Sequence, residues 1–172
     1  VSKLNARTVI ALVAVGLVAV VGVTAAIVAY AVSKAPDSAP VVTVYGGGET
    51  VEAEPFGYCN LATGACENFE HTYYLLVPSG DPVQVSLPSA IAEAPWVVLQ
   101  RFERPSGERE DRVMSWLDFP EGVRALSIDT QPAPDLRLIG FEVQLPMIYT
   151  DPATGQETTG VHGAWSIGTP AP

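Results

Sequence analysis

Leu136–Leu145 reads LRLIGFEVQL. Ile139, Phe141, Val143 and Leu145 fall on alternate positions, so a strand here would carry all four on one face, turned to a core. The same period of two recurs through most of the chain. Residues 41–45 (VVTVY) are β-branched and apolar, and Gly46–Gly48 supplies a turn because glycine tolerates positive φ. ETVEAE (49–54) then alternates charged with small or apolar residues until Pro55 stops it, which predicts a hairpin with one wet face. A triple glycine can also cradle phosphate, but that needs a following helix, and here Glu49 and a strand follow.

Further strands are expected at HTYYLLV (71–77), VQVSL (83–87), WVVLQRF (96–102), REDRVMSWL (109–117), VRALSID (123–129) and GVHGAWSI (160–167). The last places Val161, Trp165 and Ile167 together and turns His162 to solvent. Turn chemistry separates these runs at PSGDP (78–82), PSGE (105–108) and TDPATGQ (150–156), while PSAIAEAP (88–95) has room for one helical turn. About eight or nine short strands with Pro/Gly turns imply a mainly β fold, an immunoglobulin-like, Greek-key β-sandwich with Trp96 as a core tryptophan.

Ahead of this lies a different pattern. Thr8–Ser33, TVIALVAVGLVAVVGVTAAIVAYAVS, holds no charged residue and no proline. As a helix it spans about 38 Å, against a hydrocarbon core of roughly 30 Å. A secretory signal has an apolar region of only about 7–15 residues. Ala29-Tyr30-Ala31 has the small-x-small form of a cleavage site, but the length favours an uncut anchor with Tyr30 at the interface. Ala11, Val15, Ala19 and Gly22 offer a face for helix packing. Lys3 and Arg7 precede the helix and Lys34, with Asp37 close behind, follows it, so the N-terminus is expected in the cytoplasm and the remainder outside. The expected organisation is an anchor at 1–34, a Pro-rich linker at 35–40, an exported sandwich at 41–168 and a loose tail at 169–172.

Beyond Lys34 the chain holds six arginines and no lysine against all 19 acids, net −13. Nucleic acid and anionic headgroups need clustered cations, so neither is expected as a partner. The two cysteines, Cys59 and Cys66 in CNLATGAC, lack zinc-ligand company and are read as a disulfide in an oxidising compartment. Their spacing makes a local clip, not the bond between sheets of an antibody domain.

Little here carries catalytic chemistry. His71 and His162 are the only histidines, and no serine sits in a G-x-S-x-G elbow. Asp151–Glu157 offers oxygens for calcium but lacks the alternating acids of a dedicated loop. No metal, cofactor or catalytic residue is assigned. His71, His162, Met114 and Met147 could ligate haem by residue type, yet no C-x-x-C-H attachment motif is present. FERPSGEREDR (102–112) is a charged hairpin tip that could dock a partner, with Arg101, Arg104, Arg109 and Arg112 available for carboxylates.

VTVYGGG (42–48), the Tyr58-Cys59…Cys66 clip and LPSAI-x-x-APW (87–96) behind an N-terminal helix resemble an uncharacterised actinobacterial family of membrane-anchored exported proteins, a domain of unknown function. Many relatives look like lipoproteins; no lipid-accepting cysteine stands at the end of this helix. Similar anchored proteins occur as accessory subunits of the actinobacterial respiratory supercomplex. The resemblance therefore implies a non-enzymatic accessory subunit of a membrane complex, with the cytochrome bc–cytochrome oxidase supercomplex as partner. The alternative is an envelope module that binds a lipid or small ligand.

Overall fold

The structure, a computed structural model, describes residues 6–34, 39–61, 64–151 and 153–170. Lys3, the linker at 35–38, Thr63 of the cysteine loop, Pro152 and the end of the tail at 171–172 lie outside the described residues. The chain forms two units, residues 1–38 and 39–172.

The first unit is helix α1 (Ala6–Lys34). The helix satisfies its mid-helix backbone groups internally, and from Thr8 to Ser33 it holds no charged residue. Leu12–Ala31 is long and apolar enough to cross a membrane, and the described side chains of α1 are all exposed. That suits lipid as the surrounding medium, since water would penalise such a surface.

The second unit is a sandwich. Its four-stranded sheet has the order β2 (Glu49–Ala53), β1 (Val42–Gly46), β6 (Val83–Ser86), β9 (Ala125–Ile128). The seven-stranded sheet follows β4 (Cys66–Asn68), β3 (Gly57–Cys59), β11 (Glu157–Gly168), β10 (Arg137–Thr150), β7 (Val97–Glu103), β8 (Arg109–Ser115). β5 (Thr72–Tyr74) adds to β11 in parallel; the other pairings are antiparallel. The chain changes sheet at β2–β3, β5–β6, β6–β7, β8–β9 and β9–β10, so neither sheet could form without the other. Val42, Val44, Val83, Val85, Leu126 and Ile128 from one sheet meet Val98, Phe102, Phe141, Val143, Trp165 and Ile167 from the other in a single buried cluster. Each such side chain contributes about 1.5–3 kcal/mol on burial. Trp96 is in this core as expected, and Trp165, wholly buried, is a second core tryptophan. The indole Nε1 of Trp165 donates to the Pro40 carbonyl at 2.9 Å. The first hairpin turns on Gly47 and Gly48, with φ of 57° and 83°, the double positive φ that a two-residue hairpin loop requires. The helical turn between prolines is α2 (Ser89–Ala92), which buries Ile91.

Four readings need correction. Residues 71–77 are not one strand: β5 is three residues, and Leu75 and Val77 are buried beyond it. Ile139 does not share the core face. The β10–β7 register slips between Leu138 and Gly140, so Ile139 is the extra residue, Leu138 is buried, and Ile139 is only half-buried. A second slip, where Leu145 faces Gly163 and Pro146 faces Val161, makes His162 the extra residue of β11. Val161 is thereby exposed, away from Trp165, and His162 is half-buried beside Tyr58. Thr169 opens no loose tail: it is buried, its hydroxyl donates to Leu138 O at 2.8 Å, and its amide to Ile139 O at 3.0 Å. The short strands β3 and β4 around the cysteines had no reading at all.

The first bulge depends on Gly140, where a Cβ would stand 2.8 Å from Ile167 O, a backbone atom of the paired strand. Gly140→Ala must push β10 from β11 at the centre of the fold. It should destabilise the isolated sandwich by about 1–3 kcal/mol, the range for overpacking a tight site; denaturant unfolding checks this, and an unchanged midpoint would show that the ladder yields there freely.

Candidate functional site

The arginines come first, because they were the expected docking groups. Arg104 is held by Asp135, with Glu110 at 3.3 Å and Glu108 at 3.9 Å. The Asp135 hydrogen bond and charge raise its pKa still further. Arg101 pairs with Asp111 at 3.5 Å, Arg109 with Glu103 at 3.3 Å and Arg112 with Glu110 at 2.8 Å. Arg124 pairs with Glu93, and Arg137 donates to Pro170 O. All six arginines of the sandwich are thus engaged within the chain. Such exposed pairs contribute only about 0–1 kcal/mol each, so a partner could exchange them, but they do not stand ready as an anion site. The surplus charge of this domain is negative.

Cys59 and Cys66 face each other across β3 and β4 and are joined by a disulfide. The clip closes the short loop in which Gly64 takes a φ of 71°.

Asp151 folds its own turn. Its carboxylate accepts from the Ala153 amide at 2.8 Å and the Thr154 hydroxyl at 3.0 Å, while Gly155 N donates to its backbone oxygen at 2.7 Å. Both carboxylate oxygens are therefore occupied in an Asx-type turn. No group of three or more acids, histidines or cysteines is arranged for a metal among the described residues.

The two histidines stand apart in role. His71 is exposed, in edge contact with Tyr73 at 4.6 Å between centroids. His162, the bulge residue of β11, has an enclosed Nδ1 without a hydrogen-bond partner among the described residues.

Among the described residues, two concave surfaces bear on function. A trough of about 420 Å³ crosses the outer face of the large sheet, with Gly140, Ser166, Gly168 and Thr72 as its floor and Phe56, Arg101 and Glu142 at its sides. The Thr72 hydroxyl donates to Ser166 Oγ at 3.2 Å there. A larger groove of about 650 Å³ lies between residues 92–96 and 116–123. Trp96 and Phe119, 5.7 Å apart, line it from within, and Trp116 and Leu117 line it from an exposed 3-10 turn, Trp116–Asp118. That turn is pinned by Asp118, whose carboxylate accepts from the Ser115 amide and hydroxyl at 2.8 and 3.1 Å. The groove's wall was invisible in the sequence because 109–117 reads as one continuous strand.

The model of a protein family of unknown function, DUF2771, matches residues 35–170. The chain belongs to the DUF2771 family. The match starts just past α1, so the family is defined by the sandwich. Uncharacterised proteins of Mycobacterium bovis and of two strains of Mycobacterium tuberculosis are 30% identical to it over 129 residues, which cover 74% of this chain and 76% of theirs. No solved structure matches.

Asp151 gives this DUF2771 domain a pH signature. Its backbone and side-chain hydrogen bonds hold its carboxyl below the usual carboxylate range. A depressed folded pKa contributes stability that is complete above the unfolded value, about pH 4, and is lost as pH falls through the folded one. The melting temperature of Asp151→Ala should lie below that of the parent at neutral pH by a constant margin that closes only under acid below about pH 4. A margin independent of pH throughout would show that the carboxylate charge plays no part in the turn.

Proposed function

We propose that this chain is a single-span, non-enzymatic accessory subunit of a bacterial membrane complex, with its N-terminus in the cytoplasm and its sandwich on the extracytoplasmic side. The observation that carries the reading is α1, a helix apolar around its whole circumference whose described side chains are all exposed. Lipid or another membrane helix would meet that surface without the penalty of water. Lys3 and Arg7 ahead of its uncharged run support the orientation, and the Cys59–Cys66 disulfide suits an oxidising outer compartment. The sandwich would work by contact. Five of its six arginines pair with its own acids, and its surplus charge is acidic, which suits a partner with exposed basic or neutral polar surface.

The cytochrome bc–cytochrome oxidase supercomplex is the partner we propose, on the family resemblance. The haem and copper chemistry would then belong to its other subunits. A second reading, an envelope module for a small ligand, draws on the trough over Gly140 and Ser166, where hydroxyls, a carboxylate and an aromatic ring converge. One experiment separates them. Tagged chain isolated from membranes in a detergent that preserves the supercomplex should co-purify with haem bands in a reduced-minus-oxidised spectrum. An eluate without haem bands defeats the respiratory assignment and promotes the ligand-binding module.

A further inference from the structure

Strand register puts the start of the sandwich and its most apolar loops at one end. Thr43, at the start of β1, pairs with Ser86 at the end of β6, which pairs with Ala125 at the start of β9. In the other sheet, Gln144 faces Val97 at the start of β7, and Val97 faces Ser115 at the end of β8. Pro40 is tied to this end by Trp165, whose strand partner is Val143, one residue from Gln144. The groove lies here too, because residues 92–96 lead into β7 and residues 116–123 lead out of β8 towards β9. β10 and β11 continue past Gln144, beyond the start of β7, and leave Ile148 and Tyr149 exposed. The disulfide hairpin points the same way, since Tyr58 pairs with Gly163 in antiparallel sense, and it exposes Leu61. The opposite end carries the hydrophilic turns at Gly47–Gly48, 78–82 and 104–108, with the ion pairs of Arg104.

Leu117 is 73% exposed and Trp116 45% exposed. The Asp118 cap holds both on a rigid turn, so their exposure is built in rather than a property of a loose loop. Tryptophan and tyrosine beside leucine and isoleucine form the composition of a membrane–water interface, where the rings sit at headgroup level and the aliphatic groups reach below. The chain's length says which surface is near. Five backbone steps lead from Lys34 to Ala39, at most about 18 Å whatever their path. A spanning helix therefore keeps Ala39, where the sandwich begins, within that reach of Lys34.

We infer that the end of the sandwich bearing Trp116, Leu117, Ile148 and Tyr149 seats in the interfacial layer of the same bilayer that holds the helix. The inference rests on the anchor reading of the proposed function. The charges beside the patch define the lipid. Arg124 is paired with Glu93, and Asp118, Glu121 and Asp151 add negative charge. Zwitterionic headgroups accept such a surface, and anionic ones repel it. The seating is an apolar contact and should not weaken as salt is raised.

The tryptophans make it measurable. Trp96 and Trp165 are buried and Trp116 alone is exposed. The full chain is placed in phosphatidylcholine nanodiscs with plain or brominated acyl chains, and its emission is recorded with and without aqueous acrylamide. Bromine should quench the parent, and the loss should vanish in Trp116→Phe and shrink in Leu117→Asp, an exposed change that leaves the core alone. A chain that fails to co-migrate with the discs overturns the anchor and the seating together. A chain that co-migrates, with emission untouched by bromine and quenched by acrylamide, overturns the seating alone. Protection from both quenchers shows the patch covered by protein, a second copy or another subunit, and also overturns it.

Discussion

The ladder between β10 and β11 is the constraint on which the sandwich depends. It runs from Gly140–Gly168 to Thr150–Glu157, and nearly every other strand of the large sheet reaches the core through one of its two members. β7 pairs on the β10 side; β3 and β5 pair on the β11 side. One bulge interrupts it, at His162, and β10 carries a second, at Ile139, in its pairing with β7. Each inserts one residue and so exchanges the faces of everything beyond it, which is why Leu138 and Phe141 can both be buried although they are an odd number apart. Gly140 permits the close approach at the first bulge, and at the second Gly163 has the ring of Trp165 at 3.1 Å from where a Cβ would be. The same ladder places Trp165 where its indole captures Pro40 and fixes the start of the domain.

The regular parts of this fold were open to sequence reasoning because each obeys a simple period. The apolar helix, the Gly47–Gly48 hairpin, the strands at 83–86 and 97–103 and the turn at 89–92 follow from patterns that outlast local noise. The bulges do not, because one inserted residue costs the period only at that point, and a run such as LRLIGF remains an acceptable alternation with Ile139 inside. Gly140 and Gly163 were the available signals. β3, β4 and β5 are three residues each, too short to display any period; β3 and β5 pair with β11, and β4 pairs with β3.

The candidate surfaces were harder to see. The cysteine pair is visible as a spacing. The mutual pairing of the arginines is not, since Arg104 finds Asp135 only through the fold. Trp116 looked like the tail of a strand, and the Ser115–Asp118 cap turned it outwards. The capped turn holds Trp116 and Leu117 exposed at the end where the chain comes in. The trough over Ser166 keeps the ligand-binding reading in play.

The proposed function requires α1 to stay in the membrane with the sandwich outside. The direct measurement is alkaline extraction of membranes from expressing cells, joined to the intact mass of the recovered chain. The account predicts that the protein remains in the alkali-washed membrane and that its mass includes α1. Release into the wash as a chain beginning at Val32, the product of cleavage after Ala31, would contradict it.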